Sequence, residues 1–219
     1  MHIILIGAQG SGKGTQAEML AHALGVPHVA SGDLFRKEIE EQSETGRQAS
    51  EYINRGRLVP DDLTVGMILN RLKQPDCTPG VLMDGFPRTL AQAEALDRSL
   101  REVGRQMDAV VYLNVPREEL LRRLSGRSIC KAHQHVYNMS SRPPKVAGVC
   151  DLDGSELYQR SDDVGEAVEH RLDIFFNETI RLLDYYGAQG KVVEVNGYQG
   201  IEEVQQALVD AIRRRIDAA

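Results

Sequence analysis

The 219-residue sequence predicts an α/β fold, a parallel sheet flanked by helices and interrupted by two insertions. Three observations carry that prediction. Short apolar runs alternate with longer stretches of helical periodicity, the order that lays successive strands side by side in one parallel sheet. A glycine cluster, Gly7-Ala8-Gln9-Gly10-Ser11-Gly12-Lys13-Gly14-Thr15, separates the first strand from the first helix. Ala109 to Val115 (AVVYLNV) is apolar and β-branched, the composition of a strand covered on both faces.

Taken in order, His2 to Ile6 reads as a short buried strand. The helix after the glycines places Met19, Leu20, Ala23 and Leu24 at helical spacing and stops at Gly25-Val26-Pro27. Strands are expected near His28 to Ala30, at Val81 to Asp84 and at Lys191 to Val195. A closing helix carries Ile201, Val204, Leu208, Ile212 and Ile216. Two stretches break the alternation. Residues 31–60 look helical but polar, with few apolar anchors, and residues 127–163 mix Gly, Pro, Cys, His and aromatic residues in turn-rich order. Both are expected as insertions on a core built from residues 1–30, 61–126 and 164–219.

Composition narrows the function classes. A net charge of −6 argues against general affinity for nucleic acid, which needs a basic face. No apolar run approaches the ~20 residues that span a bilayer, and the run Ile3 to Ile6 is too short and lacks the basic lead of a signal peptide. Three cysteines are too few, and odd in number, for a disulfide framework, so a soluble protein of the cytoplasm is expected, with no membrane partner.

The glycine cluster has the chemistry of a phosphate cradle. Glycines let successive backbone N–H groups converge on phosphate oxygens, and the following helix N-terminus adds partial positive charge. Lys13 supplies a mobile point charge for the β- and γ-phosphates. The generic pattern has Ser or Thr directly after the lysine; here Gly14 intervenes and Thr15 brings the hydroxyl. Asp84, at the end of a strand where α/β proteins bind ligands, is the candidate to hold Mg²⁺ through water. In the second insertion two residues separate Cys130 from His133, and two separate Cys150 from Asp153. Two such knuckles can place four ligands around one structural Zn²⁺ with no open position. His135 has no matching partner and is expected to be an exposed turn residue. Cys77 is expected to be a free thiol, and His2, His22, His28 and His170 fall outside every motif.

The glycine-rich loop resembles that of the nucleoside monophosphate kinases, and other motifs extend the likeness over essentially the whole chain. These are Ser31-Gly32-Asp33-Leu34-Phe35-Arg36, Asp84-Gly85-Phe86-Pro87-Arg88-Thr89 with Gln92, Gly126-Arg127, Tyr158-Gln159-Arg160-Ser161-Asp162-Asp163, and Arg171. Within that group the chain is similar to the bacterial adenylate kinases with a long zinc-binding lid. The resemblance implies a P-loop core, a monophosphate-binding domain at residues 31–60 and a lid at 127–163. It implies a monomer that transfers a phosphoryl group from Mg·ATP to AMP, giving two ADP.

Site residues follow from the same likeness. ATP is expected on Gly10, Ser11, Gly12, Lys13, Gly14, Thr15, Arg127, Val136, Tyr137 and Gln199. AMP is expected on Ser31, Arg36, Arg57, Leu58, Val59, Gly85, Phe86, Pro87, Arg88, Gln92, Arg160 and Arg171. Lys13, Asp84, Arg88, Arg123, Arg127, Arg160 and Arg171 are the catalytic set, and Cys130, His133, Cys150 and Asp153 are the zinc ligands. Asp162 and Asp163 either cap the next helix or form a lid hinge. Two rivals share the loop: a kinase for another monophosphate, and a nucleotide-binding switch without a second nucleotide site.

Overall fold

A computed structural model describes residues 1–217. Its core is a five-stranded parallel sheet of β1 (His2–Ile6), β2 (His28–Ala30), β3 (Val81–Asp84), β4 (Ala109–Asn114) and β8 (Val192–Asn196), in the order β2-β3-β1-β4-β8. Alternation along each strand divides its side chains between two apolar layers. Ile4, Ile6, Val81, Met83, Val110 and Tyr112 face one cluster, while Ile3, Leu5, Leu82, Ala109, Val111 and Leu113 face the other. Burial on both faces is why AVVYL, Ala109 to Leu113, reads as an unbroken apolar run.

The second layer is closed by α1 (Lys13–Leu24) and α9 (Ile201–Asp217). The first is closed by α4 (Asp61–Leu72), α5 (Leu90–Glu102), α6 (Arg117–Ser125), α7 (Glu166–Asn177) and α8 (Leu182–Gly187). In α1 the inward residues are Ala17, Leu20 and Ala21, whereas Met19 and Ala23, expected on the apolar face, are exposed. Small alanines let α1 lie close to the sheet, and Met19 falls outside that stripe. Helices α1 and α5, which follow the neighbouring strands β1 and β3, lie on opposite faces of the sheet. Their preceding loops therefore diverge and open a crevice at the carboxyl ends of the two strands. No described helix is long and apolar enough to cross a membrane.

Residues 31–60 form α2 (Ser31–Glu40) and α3 (Glu44–Ile53). These helices cross so closely that a Cβ on Gly46 would run into the Glu38 carbonyl. Phe35, Ala49 and Val59 make a small core, backed by Ile53 and by Leu63 and Met67 of α4. Within residues 127–163 the turn-rich pattern folds as a three-stranded antiparallel sheet, β6 (Val136–Asn138), β5 (Arg127–Cys130) and β7 (Leu157–Tyr158). Strands of two to four residues are too short to show a period in sequence.

Candidate active site

The loop from β1 into α1 lies at the crevice. Gly12 caps α1 with φ 96°, a left-handed conformation that glycine adopts without a steric penalty, and no side chain satisfies the first-turn N–H groups. Ser11 Oγ and Gln9 Oε1 are buried without a hydrogen-bond partner among the described residues. Lys13 reaches back so that its Nζ donates to the Ala8 carbonyl at 3.1 Å. Burial draws the Lys13 pKa down to about 8, with Arg88, Arg171 and Arg127 adding to the effect and Asp84 opposing it. A hydroxyl donor without a partner and a helix N-terminus without a side-chain cap, beside the Lys13 ammonium, fit an anionic ligand.

Asp84 closes β3 beside this loop. Burial pushes its carboxyl up, but His28, Lys13 and Arg88 outweigh that and hold it below the ordinary value. His28 Nε2 stands 3.7 Å from Asp84 Oδ2. Residues 28 and 84 meet only because Ala30 pairs with Asp84 across β2 and β3, so no motif in the sequence connects them.

The arginines enter from separate elements. Arg123, on α6, donates from Nε to Glu119 Oε1 at 2.7 Å and points its terminal nitrogens at the carbonyls of Ser11 (3.3 Å) and Gly197 (3.2 Å). Hydrogen bonds from Arg122 and Arg123 hold Glu119 down to about 2 against its burial. Arg127, at the start of β5, pairs with the buried carboxylate of Asp163, and Arg171 on α7 pairs with Asp162 at 2.7 Å and Asp163 at 3.1 Å. Asp162 and Asp163 thus fasten two cations at the junction of residues 127–163 with α7, a role helix capping does not describe. Burial pulls Arg160 down to about 10, helped by Arg36 and Arg127, so it stays a cation at neutral pH. The Nε atoms of Arg36 and Arg160 are buried without partners among the described residues.

A second cleft opens between α2, α3 and the β3–α5 loop. Ser31, Arg36, Arg57, Leu58, Val59, Gly85, Arg88, Gln92 and Arg171 all line it. Gly85 has φ 73°, and a Cβ there would fall 2.9 Å from Ser31 Oγ. Its carbonyl accepts from Ser31 Oγ at 2.7 Å and from Arg88 Nε at 2.8 Å. Phe86 and Pro87, joined by a cis peptide bond, turn their side chains into the core, which leaves only their backbone to a ligand. At the nucleotide side, strand alternation exposes Val136 and buries the ring of Tyr137 beside Cys130 and Cys150. Gln199 is exposed in the β8–α9 loop, next to the Gly197 carbonyl that Arg123 reaches.

Comparison with known proteins agrees with this geometry. The family model for adenylate kinase matches residues 5–191. The chain is 48% identical over 215 residues to an adenylate kinase of Streptomyces avermitilis, with 98% of each chain covered. It is 45% identical over 214 residues to one of Carboxydothermus hydrogenoformans, covering 98% of this chain and 100% of the other. To one of Staphylococcus aureus it is 44% identical over 212 residues, covering 97% and 99%. The chain belongs to the adenylate kinase family. It is a phosphotransferase, moving a phosphoryl group from ATP to AMP.

A structural metal in the second insertion needs a closed donor set, and the described residues provide one with a difference from expectation. Ligand atoms of Cys130, His135, Cys150 and Asp153 lie within 4.8 Å of one another. Cys130 Sγ is 3.0 Å from Asp153 Oδ2, and His135 Nδ1 is 3.3 Å from Cys150 Sγ and 3.4 Å from Asp153 Oδ2. The spacing expectation named His133, but its side chain is 66% exposed and bonds Asp153 Oδ2 from outside the group at 2.8 Å. His135, expected in an exposed turn, is drawn in because its carbonyl accepts the Cys130 N–H at 2.9 Å as β5 and β6 pair. Ser155, absent from any motif, places its hydroxyl 2.9 Å from Cys130 Sγ. Burial and the Asp153 carboxylate push the Cys130 thiol up, yet bonds from Ser155 and the His133 backbone outweigh them and hold it below its ordinary value. The Asp153 carboxyl is held low by Cys130 and His133.

Proposed function

We propose that the chain carries out the reversible reaction ATP + AMP ⇌ 2 ADP by direct in-line transfer, with the donor over the Gly10–Thr15 loop and AMP in the cleft of residues 31–60. The observation that carries this reading is the gathering of Asp84, Arg88, Arg127 and Arg171 about Lys13, with Arg88 and Arg171 also lining the cleft of residues 31–60. Phosphoryl transfer needs positioning and charge neutralisation more than covalent help. The attacking oxygen of AMP is already ionised, so no general base is required.

In this reading Arg36 and Arg88 grip the acceptor phosphate by paired hydrogen bonds. Arg123, Arg127, Arg160 and Arg171 spread charge over the group in flight, while Lys13 follows the β- and γ-phosphates. Gln92 reads the adenine edge, and Arg57, Leu58 and Val59 pack the acceptor base. Val136 and Gln199 flank the donor base, with Tyr137 contributing through its backbone. Asp84, kept ionised by its neighbours, suits Mg²⁺ held through water, with Thr15 nearby in the loop. That ion supplies neutralisation of phosphate charge. Closure of residues 31–60 and 127–163 over the ligands excludes water as a competing acceptor.

The lid cluster suits one structural zinc. Two sulfurs, an imidazole and a carboxylate satisfy a tetrahedral site, whose ligand–ligand edges run about 3.3–3.8 Å for bonds of the usual length. The chain is proposed to hold it through Cys130, Cys150, Asp153 and His135, with His133 orienting Asp153. Three free cysteines accord with a monomer working in the cytoplasm. The decisive experiment combines an acceptor panel of AMP, GMP, CMP and UMP with zinc analysis of the same preparation. Preference for AMP and one zinc per chain are expected. A preference for another acceptor refutes the base assignment, and a fully active, folded, zinc-free protein refutes the metal site. Diadenosine pentaphosphate should bind far more tightly than ATP, which a single-site nucleotide switch would not show.

A further inference from the structure

Gln92 is buried, 2% exposed, and its side-chain amide is held at both ends. Its oxygen accepts the Arg88 backbone N–H at 2.8 Å. Its nitrogen donates to Asp61 Oδ1 at 2.7 Å. Asp61 is the first residue of α4, and its other oxygen accepts the Thr89 hydroxyl at 2.9 Å. Thr89 in turn caps α5 by accepting the Gln92 backbone N–H at 3.2 Å. One carboxylate therefore ties the entry of α4 to the first turn of α5 and to the amide between them.

A carboxylate oxygen accepts and a backbone N–H donates, and neither can exchange roles. Turning the amide over would set its oxygen against Asp61 and its NH₂ against the Arg88 N–H, losing two hydrogen bonds and creating two repulsions. Only one orientation survives. In it the nitrogen keeps one hydrogen and the oxygen one lone pair, a donor and an acceptor side by side on the wall of the acceptor cleft. That pair matches a 6-aminopurine, whose ring N1 accepts and whose exocyclic amine donates. A 6-oxopurine presents N1–H and O6, the reverse, and requires the amide turned over.

We propose that Asp61 is a specificity-determining positioning residue, which sets the preference for a 6-aminopurine over a 6-oxopurine monophosphate by fixing the amide orientation of Gln92. The inference rests on the reading of Gln92 as the acceptor-base contact. Asparagine at position 61 can present either an oxygen or an NH₂ to Gln92, so it removes the Asp61 half of the constraint while keeping the shape, and only the Arg88 N–H still opposes the turned amide.

The test measures kcat and KM for AMP and for its 6-oxo analogue, inosine monophosphate, at saturating ATP in the wild type, Asp61→Asn and Gln92→Ala. In Asp61→Asn the ratio of kcat/KM values should fall by about tenfold, the worth of one hydrogen bond to a charged group. The change should appear mainly in KM, with the inosine nucleotide gaining in absolute terms. A purely structural role would lower Tm and leave the ratio alone, and that result overturns the proposal. If Gln92→Ala abolishes discrimination while Asp61→Asn keeps it, the Asp61 assignment alone fails. If Gln92→Ala also keeps it, the base contact itself is misassigned and both fall. Should Asp61→Asn not fold, Asp61→Ser, whose hydroxyl both donates and accepts, makes the same test.

Discussion

The two insertions solve one problem by different means. Each is too small to stand alone. Residues 31–60 close around an apolar centre, Phe35 with Ala49 and Val59, and share it with α4 of the core. Residues 127–163 hold one small buried cluster, Cys130, Tyr137 and Cys150, with Leu157 against it, while Val146 and Leu152 stay exposed at 61% and 68%. The first insertion depends on burial continuous with the main body. The second depends on a cluster of donor atoms at its own centre. Residues 31–60 therefore share apolar packing with the core, whereas residues 127–163 centre on their own donor cluster and meet α7 where Arg127 and Arg171 pair with Asp162 and Asp163.

The comparison breaks most visibly in kinetics. Arg127→Ala, on the lid side, should lower kcat by about 10³-fold or more, the range for arginines that stabilise transferring charge, with little change in the KM for AMP. Arg36→Ala should instead show mainly as a raised KM for AMP, since its guanidinium lines the acceptor cleft. Steady-state rates with AMP varied separate the two, and equal effects from both would erase the division of labour.

Stability should divide the same way. Phe35→Ala should cost about 3–5 kcal/mol, as for other buried aromatic residues, and chelator should not alter that cost. Metal removal should instead raise hydrogen exchange across residues 127–158 and leave residues 31–60 protected. Loss of protection in both after chelation would show that the insertions are one cooperative unit.

Within the lid, His135→Ala should weaken zinc binding more than His133→Ala, whose cost should stay within about 10–100-fold, the usual range for a residue that orients a ligand. Competition with a chromophoric chelator measures both, and the opposite order would restore His133 as the ligand.

The smallest expected signal comes from the glycine loop between β1 and α1. Lys13 has a pKa of about 8 in the free protein, so at pH 8.5 about three-quarters of it is neutral and at pH 7 about one-tenth is. A bound polyphosphate favours the ammonium form and raises that pKa. Binding at pH 8.5 should therefore take up a substantial fraction of a proton, and almost none at pH 7. Calorimetry in buffers of different ionisation enthalpy reads this directly, and Lys13→Met should abolish it.

Wherever information is local, the residues alone were enough. The β1–glycine loop–α1 unit, the buried strand at Ala109–Asn114 and the positions of β2 and β3 follow from periodicity and glycine placement, and the structure puts them there. The order of strands, and with it the contact of His28 with Asp84, depends on pairing between segments far apart in the chain, which no local pattern encodes. Two-residue spacing pointed to a donor cluster that included His133, whereas the structure turns His135 inward and leaves His133 outside it. That choice is made by the register of β5 on β6. Gln92 was recognisable as a candidate from its motif, while Asp61, thirty-one residues earlier, became its partner only when α4 packed beside α5. Side-chain type and spacing decide what a segment can do; which hydrogen bonds it actually makes is decided by neighbours that folding brings from elsewhere, because a directional bond needs both atoms within about 3 Å.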